Sequence, residues 1–374
     1  MNNQSLPTSN PAAYITDKDK LDMIYSLVDL EGDKGRIYEV NYTLDYKLDE
    51  ALNANIEGTA SLVKFAMEHL MDIPLPKEAG ISYGAGCSAF ACPDADSNDF
   101  LMGRNFDFNH RDSTGERVMI PVIAVHTAPK GGKKSVSFVD ALFVSYKSGF
   151  YTDGTSDLSL LMALPYLLLD GINEDGFAVS VLKLDGKPTK QQDPEKKSIF
   201  TTVAMRMLLD RASTVDQAIE MLNQYNMCMD NEEASYHFFM ADATGDYAII
   251  EYTKNNPLDP EENPTKMEVL KGDNVWRYVT NFYTSPSMAD SPDGSNNSKH
   301  GKDRYDTLCC SMASSQYKLN SDGVMDLLSK VSQGPEVQLS TGFTQWSEVF
   351  NLTKRTVKMS ILREYDKRFE FSIE

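Results

Sequence analysis

The sequence predicts an α+β protein in which antiparallel sheets pack on one another with helices outside. Strand-patterned segments come in clusters joined by short turns, helices follow, and strand clusters then return. That segregation argues against alternating βαβ units. The composition agrees, because 41% hydrophobic and 24% charged residues over 374 positions is the mix of a folded globular chain. At about 150 residues per domain, the length allows two domains or one large one.

Residues 1–16 are polar and contain prolines, which predicts a loose N-terminus, and 17–32 accommodate a short helix. Arg36 to Thr43 (RIYEVNYT) alternates as a strand does. From Asp45 to Met71, apolar residues recur at helical spacing (Leu48, Leu52, Ile56, Ala60, Val63, Met67, Leu70) and predict one long amphipathic helix. Two prolines in DIPLPKE end it. Strands are expected at Ile81 to Ala91, Phe100 to Phe108, Val118 to His126, Val136 to Lys147 and Phe177 to Leu184. Helices follow near 200–212 and 215–225, then strands at 235–241 and 246–253. Polar loops cover 254–268 and 284–301. Helices near 303–316 and 321–332 lead to two or three closing strands.

Lys and Arg number 36 against 55 Asp and Glu, a net charge of −19. An acidic chain lacks the basic footprint that nucleic acid requires, and it is repelled by anionic membrane surfaces. No apolar run reaches the roughly 20 residues of a membrane span, and the N-terminus has no signal-peptide pattern. The expectation is a cytoplasmic protein with neither nucleic acid nor membrane insertion among its partners. Assembly into a homo-oligomer is left open. The histidines have no metal spacing, so no metal site is expected. The five cysteines form no C-x-x-C pair, which favours one reactive thiol over a disulfide scaffold. Cys92, five residues after Cys87, belongs on the opposite face of a strand.

The sharpest feature is Gly86-Cys87 at a strand start, followed on the next strand by Gly103-Arg104-Asn105-Phe106-Asp107. Arg and Asp in an apolar strand are costly unless paired or used. Three residues apart, they point to opposite faces, so both can serve one site only with a twist or bulge. On residue types alone, a structural ion pair beside a buried cysteine is an equal reading.

These residues resemble the choloylglycine hydrolase, or linear amide C–N hydrolase, family of N-terminal-nucleophile hydrolases. Four pieces match in order from Gly86 onward. They are Cys87, the GRNFDF strand, DGINEDGFAVSVLKL (170–184), and Val279-Thr280-Asn281 with Arg304 downstream. The resemblance implies a four-layer αββα sandwich of two antiparallel sheets. It implies an N-terminal prosegment, residues 1–86, released or retained as a small subunit, and a catalytic domain, residues 87–374. It implies no cofactor.

The resemblance also assigns roles. Cys87 is the nucleophile, activated by its own α-amine after cleavage between Gly86 and Cys87. The small residues Gly84, Ala85 and Gly86 suit a bent backbone for that cleavage. Asp107 orients the amine, and Arg104 favours the thiolate. Asn281 and the backbone N–H of Lys183 serve the oxyanion. Arg304 stabilises the site or meets the leaving group. Asn173 is a turn former, with Glu174 and Gly176. The substrate class is a small acyl amide, held in a pocket around Phe90, Phe106, Phe108 or 143–150. Two alternatives are an acyltransferase passing the acyl group to an amine, and an uncleaved binding module.

Overall fold

The computed structural model describes residues 15–32, 34–71, 85–112, 114–144, 158–229, 234–295, 301–334 and 342–373. Gly84 and the segment 145–150, named above, lie outside these. Among the described residues, one sheet has nine strands. In spatial order they are β1 (Val28–Asp29), β2 (Ile37–Tyr42), β5 (Val122–Thr127), β6 (Ser135–Asp140), β7 (Asp170–Asn173), β8 (Ala178–Asp185), β11 (Ala234–Ala241), β12 (Tyr247–Thr253) and β13 (Lys266–Lys271). A second sheet runs β14 (Tyr278–Val279), β3 (Ala85–Pro93), β4 (Phe100–Phe108), β15 (Phe343–Asn351), β16 (Thr356–Ile361) and β17 (Phe369–Ser372). A short parallel pair joins β9 (Lys197–Phe200) and β10 (Tyr225–Cys228).

The helices are α1 (Lys18–Ile24), α2 (Leu48–Asn53), α3 (Thr59–His69), α4 (Thr201–Arg211), α5 (Val215–Leu222), α6 (Pro292–Ser295), α7 (Gly301–Ser314) and α8 (Ser321–Lys330). Alternation along the strands sorts side chains into layers. Met102, Phe106, Trp346 and Phe350 of the six-stranded sheet meet Phe138, Ile172, Leu182 and Ile249 of the nine-stranded sheet. On the outer face of the nine-stranded sheet, Val125, Val139 and Val179 pack with Val203 and Leu208 of α4, Val215 of α5, and Leu62 and Phe65 of α3. Phe90, Leu101 and Val349 pack outward on Leu308 of α7 and Val324 of α8. The result is the four-layer αββα sandwich.

Three local expectations are corrected. The long helix over Asp45 to Met71 is two helices. Asn55 takes a left-handed conformation (φ 51°) after α2, and Gly58 precedes α3 in extended backbone. The Asn55 side chain is engaged instead with the backbone N–H of Ser198, at 3.0 Å. The loop expected at 254–268 runs into β13, which starts at Lys266. The strand expected over Val136 to Lys147 ends at Asp140 and turns into a 3₁₀ segment, Ala141–Val144.

The sheet neighbours are antiparallel with one exception among the long strands. β2 lies parallel to β5, with Ile37 opposite Val122 and Tyr42 opposite Thr127. This strand comes from the N-terminal segment and covers what would otherwise be an open sheet edge. Tyr46 strengthens the attachment, since its hydroxyl donates to Asp210 Oδ2 at 2.6 Å and its carbonyl accepts the Tyr166 hydroxyl at 2.5 Å.

The β7–β8 turn needs its glycine. Gly176 has φ +82°, and a Cβ there would meet the Leu352 carbonyl oxygen. Gly131 also has positive φ, at +80°, with nothing within 4 Å of such a Cβ. Gly131→Ala is expected to cost about 1–2 kcal/mol, the ordinary left-handed penalty. Gly176→Ala is expected to cost distinctly more in urea unfolding. Equal costs would show that the contact with Leu352 is not a constraint.

Candidate active site

Cys87 sits on β3 opposite Phe106 of β4, and its side chain faces the layer between the sheets. It is 2% exposed. Cys92, on the other strand face, packs toward α7 and α8, and burial pushes its thiol up to about 12. The Gly86–Cys87 bond lies within β3, with Gly86 opposite Asp107 and Ala85 opposite Phe108. The bent backbone expected there is therefore not what the described residues show. Ladder pairing with β4 keeps Ala85 and Gly86 extended.

Arg104 lies opposite Ala89 on β3 and opposite Glu348 on β15, so its side chain also enters the layer between the sheets. It has no exposed surface. Its Nε donates to Asp170 Oδ2 at 3.2 Å, and its Nη2 donates to the Val181 carbonyl at 3.0 Å. Nη1 reaches the Asn105 carbonyl. Burial alone would lower the guanidinium's pKa, yet Cys87 and Asp170 hold it above its ordinary value. Arg104 is thus the cation beside the Cys87 sulfur.

Asp107 faces the other way, as the strand period requires. It accepts from Thr344 Oγ1 at 2.5 Å and from Gln333 Nε2 at 2.8 Å, and it pairs with Arg304 Nη1 at 3.4 Å. Burial raises its carboxyl, against the pull of Arg304, Gln333 and Thr344. A register shift between Thr344 and Trp346 on β15 interrupts the ladder beside it.

Asn281 and Arg304 close the site. The Cys87 backbone N–H donates to Asn281 Oδ1 at 2.5 Å. Arg304 Nη2 donates to the same oxygen at 2.7 Å, and Nη1 donates to the Cys87 carbonyl at 2.5 Å. Asn281 Nδ2 donates to the Lys183 carbonyl at 2.7 Å. Burial lowers the Arg304 guanidinium, opposed by Asp107 and Cys87. The long polar loop before Arg304 does not separate it from the site. Thr280 Oγ1 donates to the Gly301 carbonyl at 2.7 Å, which returns the start of α7 to Asn281.

Asn173 shapes the turn and ties it to the end of α4. Its Nδ2 donates to the Leu209 and Ala212 carbonyls, and its Oδ1 accepts from the backbone of Asp175 and Phe177. The aromatic pocket expected near Cys87 is corrected in part. Phe90 faces α8 across Gly103, and Phe106 packs tilted against Trp346, centroids 4.2 Å apart. A groove of about 490 Å³ between α7 and α8 is lined by Cys310, Ser314, Leu327 and Lys330, and no site residue borders it.

Sequence reasoning missed several buried partners. His237 Nε2 lies 2.9 Å from the Thr280 carbonyl and Nδ1 lies 3.0 Å from Glu251 Oε1. Glu251 also accepts the backbone N–H groups of Thr284 and Ser285, both at 2.8 Å, so the pair braces the segment carrying Asn281. Asp170, Glu348, Gln333 and Thr344 were missed as well. Asp170 alone left a signal, as the first residue of DGINEDGFAVSVLKL, whereas Glu348 stands among Thr344, Gln345 and Ser347 and does not stand out.

The profile of the linear amide C–N hydrolases, choloylglycine hydrolase family, matches residues 87–317, beginning at Cys87 itself. The chain belongs to this family. Its members are hydrolases acting on linear amide C–N bonds rather than peptide bonds. A penicillin V acylase of Pectobacterium atrosepticum is 34% identical over 92 residues, which is 22% of this chain. The match spans about a quarter of that relative, 24% of its length. A mutant conjugated bile acid hydrolase from Clostridium perfringens overlaps 77% of this chain and 92% of its own, at 13% identity and TM-score 0.49. Penicillin V acylase from Agrobacterium tumefaciens overlaps 74% and 83%, at 16% identity and TM-score 0.48. Among the described residues no group of acidic, His or Cys side chains is arranged to hold a metal, and no helix is long and apolar enough to cross a membrane.

Because Asp107 is raised above its ordinary 3.8, the folded chain binds that proton more tightly than the unfolded chain does. Its contribution to stability therefore falls as pH rises past 3.8. Asp107→Asn should remove this decline and, by facing an amide N–H toward Gln333 and Arg304, cost about 1–3 kcal/mol. Urea unfolding at stepped pH measures both, and an unchanged slope would contradict the assignment.

Proposed function

We propose that this chain is a cysteine amidase that frees its own nucleophile by cleaving the Gly86–Cys87 bond and then hydrolyses a linear, non-peptide amide. The observation that carries this reading is the hydrogen bond from the Cys87 backbone nitrogen to Asn281 Oδ1. A buried side-chain oxygen held on the nitrogen of one cysteine, and fixed there by Arg304, has a purpose if that nitrogen becomes a working amine.

In the first stage the Cys87 sulfur adds to the Gly86 carbonyl carbon. The peptide C–N bond breaks, a thioester forms, and the proton from sulfur goes to the departing nitrogen. Water then cleaves the thioester, leaving a carboxylate on Gly86 and a free amine on Cys87. An α-amine has an ordinary pKa of about 7.7–8.0, so near neutral pH it can take the thiol proton.

In turnover that amine accepts the proton as sulfur attacks the substrate carbonyl. The same proton passes to the leaving amine as the C–N bond breaks, and water releases the acid. Arg104 favours the thiolate from below. The second N–H of the Asn281 amide and the Lys183 backbone N–H are the oxyanion donors. Arg304, on the Cys87 carbonyl and Asn281, holds the nucleophile's main chain and joins Asp107 to the site. The substrate is an N-acyl amine, an N-acyl amino acid, a bile-acid conjugate or a penicillin-type amide.

Amine release from a panel of these four classes tests the reading. Cys87→Ala should abolish turnover, and Asn281→Ala should lower kcat by about 10²–10³, the usual loss of one oxyanion donor. Retained turnover in Cys87→Ala would refute it. An added amine acceptor separates hydrolysis from acyl transfer, since an amide product in place of the free acid identifies a transferase.

A further inference from the structure

The layer between the sheets holds more acid than its cation can balance. Arg104 is flanked by Asp170 from β7 and by Glu348, its cross-strand neighbour on β15. All three are 0% exposed. Asp170 Oδ2 receives Arg104 Nε at 3.2 Å and the Trp346 indole N–H at 3.4 Å. Asp170 Oδ1 and both Glu348 oxygens make no hydrogen bond of ordinary geometry. Those bare acceptors belong to carboxyls that face each other. A proton between them satisfies Asp170 Oδ1 and one Glu348 oxygen at once. It also reduces the count to one anion beside one cation, which the interior tolerates far better than two.

We propose that Glu348 is a positioning residue, a neutral carboxylic acid that donates its O–H to Asp170 and so fixes Arg104 against the Cys87 sulfur. Asp170 is the ionised member, because it already receives the guanidinium and the indole. Glu348 acts through these two groups and touches no substrate. Burial raises both carboxyls, Asp170 to about 6 and Glu348 well above its ordinary value, which agrees with this division near neutral pH. The titratable and charged groups facing Glu348 are Arg104 from β4 and Asp170 from β7, and Cys87 from β3 meets the guanidinium.

The inference rests on Cys87 as the nucleophile, and its test does not depend on turnover. Infrared spectra of the purified protein at neutral pH should contain the C=O stretch of a protonated carboxylic acid, and Glu348→Gln should lose it. The second readout is the pH dependence of Cys87 alkylation by iodoacetamide. Glu348→Gln, whose amide can still donate to Asp170, should keep the parent profile. Glu348→Leu should move it upward by about one pH unit, a tenfold loss of thiolate at fixed pH. Absence of the acid band in the parent overturns the proposal. So does a Glu348→Gln profile displaced as far as that of Glu348→Leu, or two variant profiles identical to the parent. If Glu348→Leu does not fold, the infrared band and the Glu348→Gln profile still decide. Turnover in Cys87→Ala would fail the nucleophile reading and leave the infrared result standing.

Discussion

Arg104 is sealed between two sheets, at a depth where taking an ion out of water costs several kcal/mol. Such a charge persists only if the fold surrounds it with acceptors, and three come from different strands. Asp170 arrives on β7, the Val181 carbonyl on β8 and the Asn105 carbonyl on β4. The two sheets must therefore meet in one register for the guanidinium to be satisfied. Cys87 shares this face, so the constraint that orders the core also puts a cation beside the thiol.

The rest of the site wraps around the start of β3. Side chains alternate, so Arg104 and Asp107 cannot both lie beneath the sulfur. The chain resolves this by placing the sulfur and its backbone on different sides. Arg104 serves the sulfur from the inter-sheet layer. Asn281 and Arg304 serve the nitrogen and carbonyl of Cys87, and Asp107 anchors Arg304 with Gln333 and Thr344 behind it. The His237–Glu251 pair then fixes the main chain at Thr280, Thr284 and Ser285, which keeps Asn281 in place.

Much of this was readable because it is local. The GRNFDF spacing, the turn residues Asn173 and Gly176, and the opposite faces of Cys87 and Cys92 follow from strand period and turn chemistry. Periodicity failed where tertiary contacts override it. The 45–71 segment has helical spacing throughout, yet Asn55 leaves the helix to hold Ser198 of the β9 segment. The parallel pairing of β2 with β5 and the meeting of Asp170 with Glu348 join residues far apart in sequence, and no spacing encodes them. Phe90 was misplaced by aromatic character alone, when its register opposite Gly103 puts it under α8.

The pairing of β2 with β5 and the hydrogen bonds of Tyr42 and Tyr46 join this part of the N-terminal segment to the folded body, so a cut before Cys87 need not release it. On the proposed mechanism the nitrogen held by Asn281 becomes a free amine. Intact-mass spectrometry of the purified protein under denaturing conditions detects that cut. Two chains are expected from the parent, the larger beginning at Cys87, and a single uncut chain from Cys87→Ala. A parent chain that stays whole under varied pH and reducing conditions, and turns over no amide, would contradict that mechanism.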